Sequence, residues 1–98
     1  MNRTQAISRL RANAPSIRRM GATALYIFGS TARDEAQSTS DLDLFIDYNE
    51  SGRFSLLDLV GIQQMLEREM GVRIDIATRD SLHPRLKDEI ERSAVRVF

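Results

Sequence analysis

The stretch YIFGSTARDEAQSTSDLDLFID, Tyr26 to Asp47, decides how the rest of the chain is read. An apolar run ending at Phe28 breaks at Gly29-Ser30, and after a polar interval a second run carries Asp41 and Asp43 two positions apart. Strand, tight turn, strand is the simplest arrangement. Side chains alternate faces along a strand, so Asp41 and Asp43 are expected on one side and Leu42, Leu44 and Ile46 on the other. Two parallel carboxylates with no Lys or Arg between them repel unless something positive sits against them, and a divalent metal is the natural candidate.

The Gly-Ser step supplies the complementary half. Gly29 lets backbone amides approach a ligand closely, and Ser30 offers a hydroxyl where the following helix begins, an arrangement that favours an anion such as phosphate. Carboxylates that hold a metal, facing a turn that holds phosphate, describe a site for a metal-chelated nucleotide. Either element alone is weak evidence, because Gly-Ser steps and Asp-x-Asp pairs also occur in solvated loops and calcium sites.

Composition narrows the classes. With 98 residues the chain has room for one domain and one modest core, 1–98, and none for a separate substrate-recognition domain. No run is long or apolar enough to cross a membrane, the N-terminal MNRTQAISRLRANA lacks the apolar core of a secretory signal, and cysteine is absent. A cytoplasmic protein is expected, with no membrane partner and no direct nucleic-acid partner. Net charge is zero but unevenly spread: every charged residue up to Arg33 is basic, and every one from Asp34 to Glu50 is acidic. A basic flank beside an acidic pocket can steer a polyanion, although a solvated helix face explains Arg3 to Arg19 as well.

Along the chain, residues 4–13 read as a helix, broken or restarted at Pro15 and closed by Gly21. A buried strand follows over 24–28 and a short helix over 31–35, which brings Arg33 within reach of a phosphate or of an ion pair with Asp41 or Asp43. Ser40 lies in turn material that can position Asp41. The second strand spans 42–48. The clearest helix, 55–70, starts at a Ser55/Asp58 cap and carries Leu56, Leu59, Val60, Ile62, Leu66 and Met70 as its apolar stripe. A third strand over 72–77 carries Asp75 among Ile74 and Ile76, either as a third acidic group aimed at the pocket or as an exposed carboxylate paired with Arg73 or Arg79. A last helix, 84–94, is expected to turn Leu86 and Ile90 inward. The apolar tail Val95 to Phe98 is expected either to fold back on the core or to reach a partner. The only histidine, His83, reads as a turn or surface residue.

Gly29-Ser30, then Arg33, then Ser40-Asp41-Leu42-Asp43-Leu44 resembles the signature of the polymerase-beta-type nucleotidyltransferases, and most closely the minimal nucleotidyltransferases that accompany HEPN-domain proteins as antitoxins. The resemblance runs from Leu25 to Phe98 and includes the ending LxxxIxRSAVRVF. It implies an α/β (α+β) fold with a palm-like core, a small mixed sheet of about three strands flanked by helices. It implies Asp41, Asp43 and Asp75 as catalytic metal ligands for two magnesium ions, with Gly29, Ser30, Arg33 and Ser40 on the nucleotide side. ATP is the implied donor, and a tyrosine hydroxyl of a HEPN-family ribonuclease toxin, bound in a hetero-oligomer, is the implied acceptor. Many relatives carry Gly after the arginine of this motif where this chain has Asp34. Two alternatives are a binding module that blocks its partner through the tail around Val95 to Phe98, and nucleotidyl transfer to a small hydroxylated molecule.

Overall fold

Two long apolar strands, β1 (Ala22–Phe28) and β2 (Leu42–Tyr48), pair antiparallel at the centre of the molecule. The computed structural model describes residues 1–34 and 41–98. On the far side of β2, β3 (Ile74–Thr78) pairs parallel to it, and beside β1 the short β4 (Val95–Arg96) pairs antiparallel. The sheet is therefore mixed, in the order β3-β2-β1-β4, with four strands where about three were expected. The tail supplies the extra one: Val97 donates to the Leu25 carbonyl at 2.8 Å, and the Phe98 carbonyl accepts from Leu25 at 3.0 Å. Val97 is buried, so the tail folds back on the core, with Val95 and Phe98 half-buried and Arg96 exposed.

The two faces of the sheet have different coverings. Leu25, Ile27, Leu42, Leu44, Ile46 and Ile74 point into one core with Ala6, Leu10 and Ile17 from the N-terminal helices and Ile62, Leu66 and Met70 from the long helix. These helices are α1 (Arg3–Ala12), α2 (Ala14–Arg19) and α4 (Leu56–Met70). Each start is encoded locally. Asn2 and Gln5 form a reciprocal cap on α1, Pro15 sits in the first turn of α2 where its missing N–H costs nothing, and Ser55 and Asp58 cap α4. Gly71 ends α4 in the left-handed conformation at φ 68°.

The other face carries Tyr26, Phe28, Asp43, Phe45 and Asp47, as the register Phe28↔Asp43, Tyr26↔Phe45 and Ala24↔Asp47 requires. It is partly covered by α5 (Lys87–Ser93), whose Glu91 meets Arg79, while the short α3 (Gly29–Ala32) follows directly from β1 and buries Ala32 with the aliphatic core. Phe45 is nonetheless fully buried: Tyr26 stacks on it at 4.7 Å and the Arg79 guanidinium lies 5.0 Å from its ring centre. Arg79 also donates to both carboxylate oxygens of Asp47, at 2.7 and 3.1 Å, and meets Glu91 of α5 at 3.2 Å. That charge-assisted pairing holds its pKa above the usual arginine value.

Two expected helix faces are corrected. Leu56 and Val60 point to solvent, and α5 begins at Lys87, which leaves Leu86 exposed in the preceding turn. Leu56 and Val60 lie on a stripe of α4 turned roughly a quarter of a turn from the inward face formed by Leu59, Ile62, Leu66 and Met70, and Leu86 stands ahead of α5. Among the described residues no helix is long and apolar enough to cross a membrane.

Because Val97 is buried in the core and Leu57 is 82% exposed, their truncations separate. Val97→Ala is expected to cost about 2 kcal/mol, and Leu57→Ala to stay within about 0.5 kcal/mol, as read by urea unfolding.

Candidate functional site

The end of β1 and the beginnings of β2 and β3 meet on the second face of the sheet. There the antiparallel register sets Phe28 opposite Asp43, and the parallel register sets Asp43 beside Asp75. Because paired residues in adjacent strands face the same way, these two carboxylates project together. Asp41 lies one residue before β2 begins, so it approaches from the loop side of the strand and is exposed.

The chain turns into α3 directly after Phe28. Gly29 sits at φ 75°, and a Cβ added there would collide with Oδ2 of Asp43 and lie 3.3 Å from its Cγ. Glycine is therefore required twice over, by the left-handed backbone and by the closeness of the carboxylate. Ser30 follows in the first turn of α3, and Arg33 closes the helix. Asp34 takes the left-handed conformation at φ 58°, the conformation for which Gly is the usual choice, and its carboxylate accepts from the Arg3 amide at 3.1 Å. Aspartate is one of the few non-glycine residues that tolerate this backbone, so the Asp-for-Gly departure leaves the turn intact.

Electrostatics mark Asp43 as the centre. Its pKa is raised, first by burial, then by the charge of Asp75 and then by that of Asp41, while Arg33 pulls it down without prevailing. All three acidic residues thus act on one locus. Neither Arg73 nor Arg79 forms an ion pair with Asp75 among the described residues; Arg79 is taken by Asp47 and Glu91. Ser40 lies outside the described residues.

The donor set is suited to a hard cation. Among the described residues no group of three or more His, Cys, Asp or Glu side chains is gathered closely enough to hold a metal by itself. Magnesium is commonly bound by one or two carboxylates together with substrate phosphates and water, and an open array of oxygen donors whose like-charge repulsion is only partly offset by Arg33 fits that mode. Sequence reasoning treated Arg79 only as a rival partner for Asp75 and gave no role to Tyr26 and Phe45. The same alternation that aligned the aspartates also places these rings on the site's face.

The raised pKa of Asp43 fixes the sign of a stability effect. Folding favours its neutral form, so its contribution is intact below the usual carboxylate value of 3.8 and is lost as pH rises through the folded-state value. Asp43→Asn is therefore expected to raise the thermal midpoint of metal-free protein at neutral pH, with the gain vanishing in acid. A lower midpoint at neutral pH contradicts this. Gly29→Ala acts in the opposite direction, with an expected loss of about 1–2 kcal/mol from the backbone conformation alone, measured by denaturant unfolding.

Comparison with known proteins agrees with this fold. Residues 8–97 match the family model for the nucleotidyltransferase domain. A protein of Methanocaldococcus jannaschii assigned as a protein adenylyltransferase is 42% identical over 84 residues, which cover 86% of this chain and 88% of that protein. The protein adenylyltransferase MntA of Thermococcus cleftensis is 33% identical over 79 residues, covering 81% of this chain and 78% of that one. A solved structure assigned as a minimal nucleotidyltransferase superposes with a TM-score of 0.82 at 37% identity, over 97% of this chain and 95% of that one. A toxin-antitoxin crystallised with AMP-PNP superposes at 0.69 over all of this chain and 73% of that one; at 18% identity this is a likeness of fold. With the family model spanning nearly its whole length and a shared fold beneath it, this chain belongs to the nucleotidyltransferase domain family and is an enzyme of the minimal nucleotidyltransferase type.

Proposed function

We propose that this enzyme transfers AMP from ATP to a tyrosine hydroxyl of a HEPN-family ribonuclease toxin and so acts as its antitoxin. The observation that carries the reading is Asp43, flanked in register by Asp75, coupled to Asp41, and pressed against the backbone of Gly29. The adenylyltransferase relatives and the toxin-antitoxin fold neighbour support the donor and the class of partner.

In this reading Gly29 and Ser30 grip the outer phosphates of ATP, with Arg33 beside them and Ser40 assisting from the segment before Asp41. Asp41 and Asp43 would hold a magnesium ion that arrives with the nucleotide, and Asp75 would serve a second ion on the acceptor side. When bound, magnesium neutralises the charge that builds on the attacking and leaving oxygens. Asp75 draws the proton from the tyrosine hydroxyl, whose oxygen bonds to the α-phosphorus as the bond to the bridging oxygen breaks and pyrophosphate departs. Asp43 is half-buried, which strengthens its own charge interactions relative to those of the exposed Asp41 and Asp75.

Capture of the toxin by contact alone is the rival reading, favoured by the exposed Leu56 and Leu57 at the start of α4. One experiment separates the two. Incubation with ATP, magnesium and the toxin, followed by mass spectrometry, is expected to show adenylyl additions on a toxin tyrosine. Asp41→Asn, Asp43→Asn and Asp75→Asn are each expected to slow this transfer about a hundredfold or more. Neutralisation of the toxin by the Asp41→Asn/Asp43→Asn protein at wild-type potency favours capture, and adenylyl additions on a small hydroxylated molecule instead of the toxin overturn the assignment of acceptor.

A further inference from the structure

β3 is an edge strand, and Asp75 is its exposed functional residue, so the outer side of that strand has to be stabilised by something other than a fifth strand. In a parallel pair the backbone groups of alternate residues face the neighbouring strand. Leu42 donates to the Arg73 carbonyl at 3.0 Å, which assigns residues 73 and 75 to the β2 side and turns the N–H and C=O of Ile74 outward. Both outward groups are taken by side chains of α4. The Ile74 amide donates to Oε2 of Glu67 at 3.1 Å, and the Ile74 carbonyl accepts from Nε2 of Gln63 at 2.8 Å.

Gln63 and Glu67 lie four residues apart, one turn along α4, so their side chains emerge on the same stripe and reach adjacent backbone groups. Both bonds are part-buried. Ile62 and Leu66, their chain neighbours, are fully buried in the core, so the helix that presents the pair is itself anchored. One residue takes the donor and the other the acceptor of Ile74, which is what a neighbouring strand would do.

We propose that Gln63 and Glu67 are positioning residues for Asp75: together they replace a missing strand at the sheet edge and fix the peptide that aims this carboxylate at Asp43. The proposal rests on reading Asp75 as part of the transfer site. Asp75 has no ion pair among the described residues to orient it, so its placement depends on the backbone. That backbone is held by β2 on one side and by α4 on the other. Outer partners of this kind are worth about 10–100-fold in metal affinity or activity when removed from other sites.

The test compares Gln63→Met, Glu67→Met and their combination with Glu67→Gln, whose amide oxygen still accepts from Ile74. In the free protein, the Ile74 amide is expected to exchange with solvent about tenfold faster in Glu67→Met and the double variant and at the wild-type rate in Glu67→Gln. In the transfer assay, kcat is expected to fall about 10–100-fold in the double variant, with a higher magnesium requirement and an unchanged KM for ATP. Glu67→Gln is expected to keep both at their wild-type values. Unchanged Ile74 exchange in the double variant overturns the clamp, and so does faster exchange with kcat and magnesium dependence unchanged. If the wild-type protein transfers no nucleotide while Ile74 exchange responds as described, the clamp stands as a structural device and it is the reading of Asp75 as a transfer residue that fails.

Discussion

Like charge brought together on purpose is the constraint from which the rest of this molecule follows. Asp43 and Asp75 are side by side in a parallel register, Asp41 adds to their field, and Arg33 offsets it only in part. A fold selected for stability alone has no reason to keep that arrangement, because a buried carboxylate with acidic neighbours disfavours the folded state at neutral pH. The repulsion is tolerable when the ligand supplies positive charge, and a nucleotide that arrives with magnesium does so. The close approach of Gly29 to the Asp43 carboxylate belongs to the same design, since it leaves no side chain between the turn proposed to take phosphate and the acids proposed to hold the metal.

The scaffold divides its work between the two faces of one sheet. One face is packed with aliphatic side chains against α1, α2 and α4 and supplies most of the buried apolar area. The other face bears the acids at one end, and beyond them Tyr26 and Phe45 are stacked beneath Arg79, which ties β2 to α5 through Asp47 and Glu91. Arg79 thereby closes a polar face without filling it with aliphatic residues. The basic N-terminal helices have a comparable structural use. Arg3, Arg9 and Arg11 each donate to a main-chain carbonyl, those of Ala32, Glu69 and Val97, and Arg18 lies over the ring of Phe98. Much of the charge asymmetry visible along the chain is therefore engaged in stapling distant segments together.

What could be read from the sequence was governed by local physics. Strand alternation was enough to bring Asp43 onto one face, the Ser55/Asp58 cap and Gly71 bounded α4 correctly, and the apolar tail was rightly refused to solvent. The parallel register between β2 and β3 was not local, and it is this register that sets Asp75 beside Asp43. The apolar stripe was also drawn too wide at Leu56 and Val60, which lie off the face shared by Leu59, Ile62, Leu66 and Met70, and Leu86 falls ahead of the helix expected to carry it. The roles of Arg79, Gln63 and Glu67 had no motif to announce them. Each depends on long-range neighbours, and each was legible only once the strands had been placed.

In the proposed mechanism Asp41, Asp43 and Asp75 share one cation-filled cavity opposite the Gly29-Ser30 turn. A crystal structure of the protein with magnesium and a non-hydrolysable ATP analogue tests it most directly. The account predicts magnesium bound by Asp41 and Asp43 together with phosphate oxygens, the outer phosphates on the amides and hydroxyl of Gly29 and Ser30, and the Asp75 carboxylate turned toward the α-phosphorus. A nucleotide bound elsewhere, or bound here with Asp75 directed away from the metal and the α-phosphorus, contradicts it.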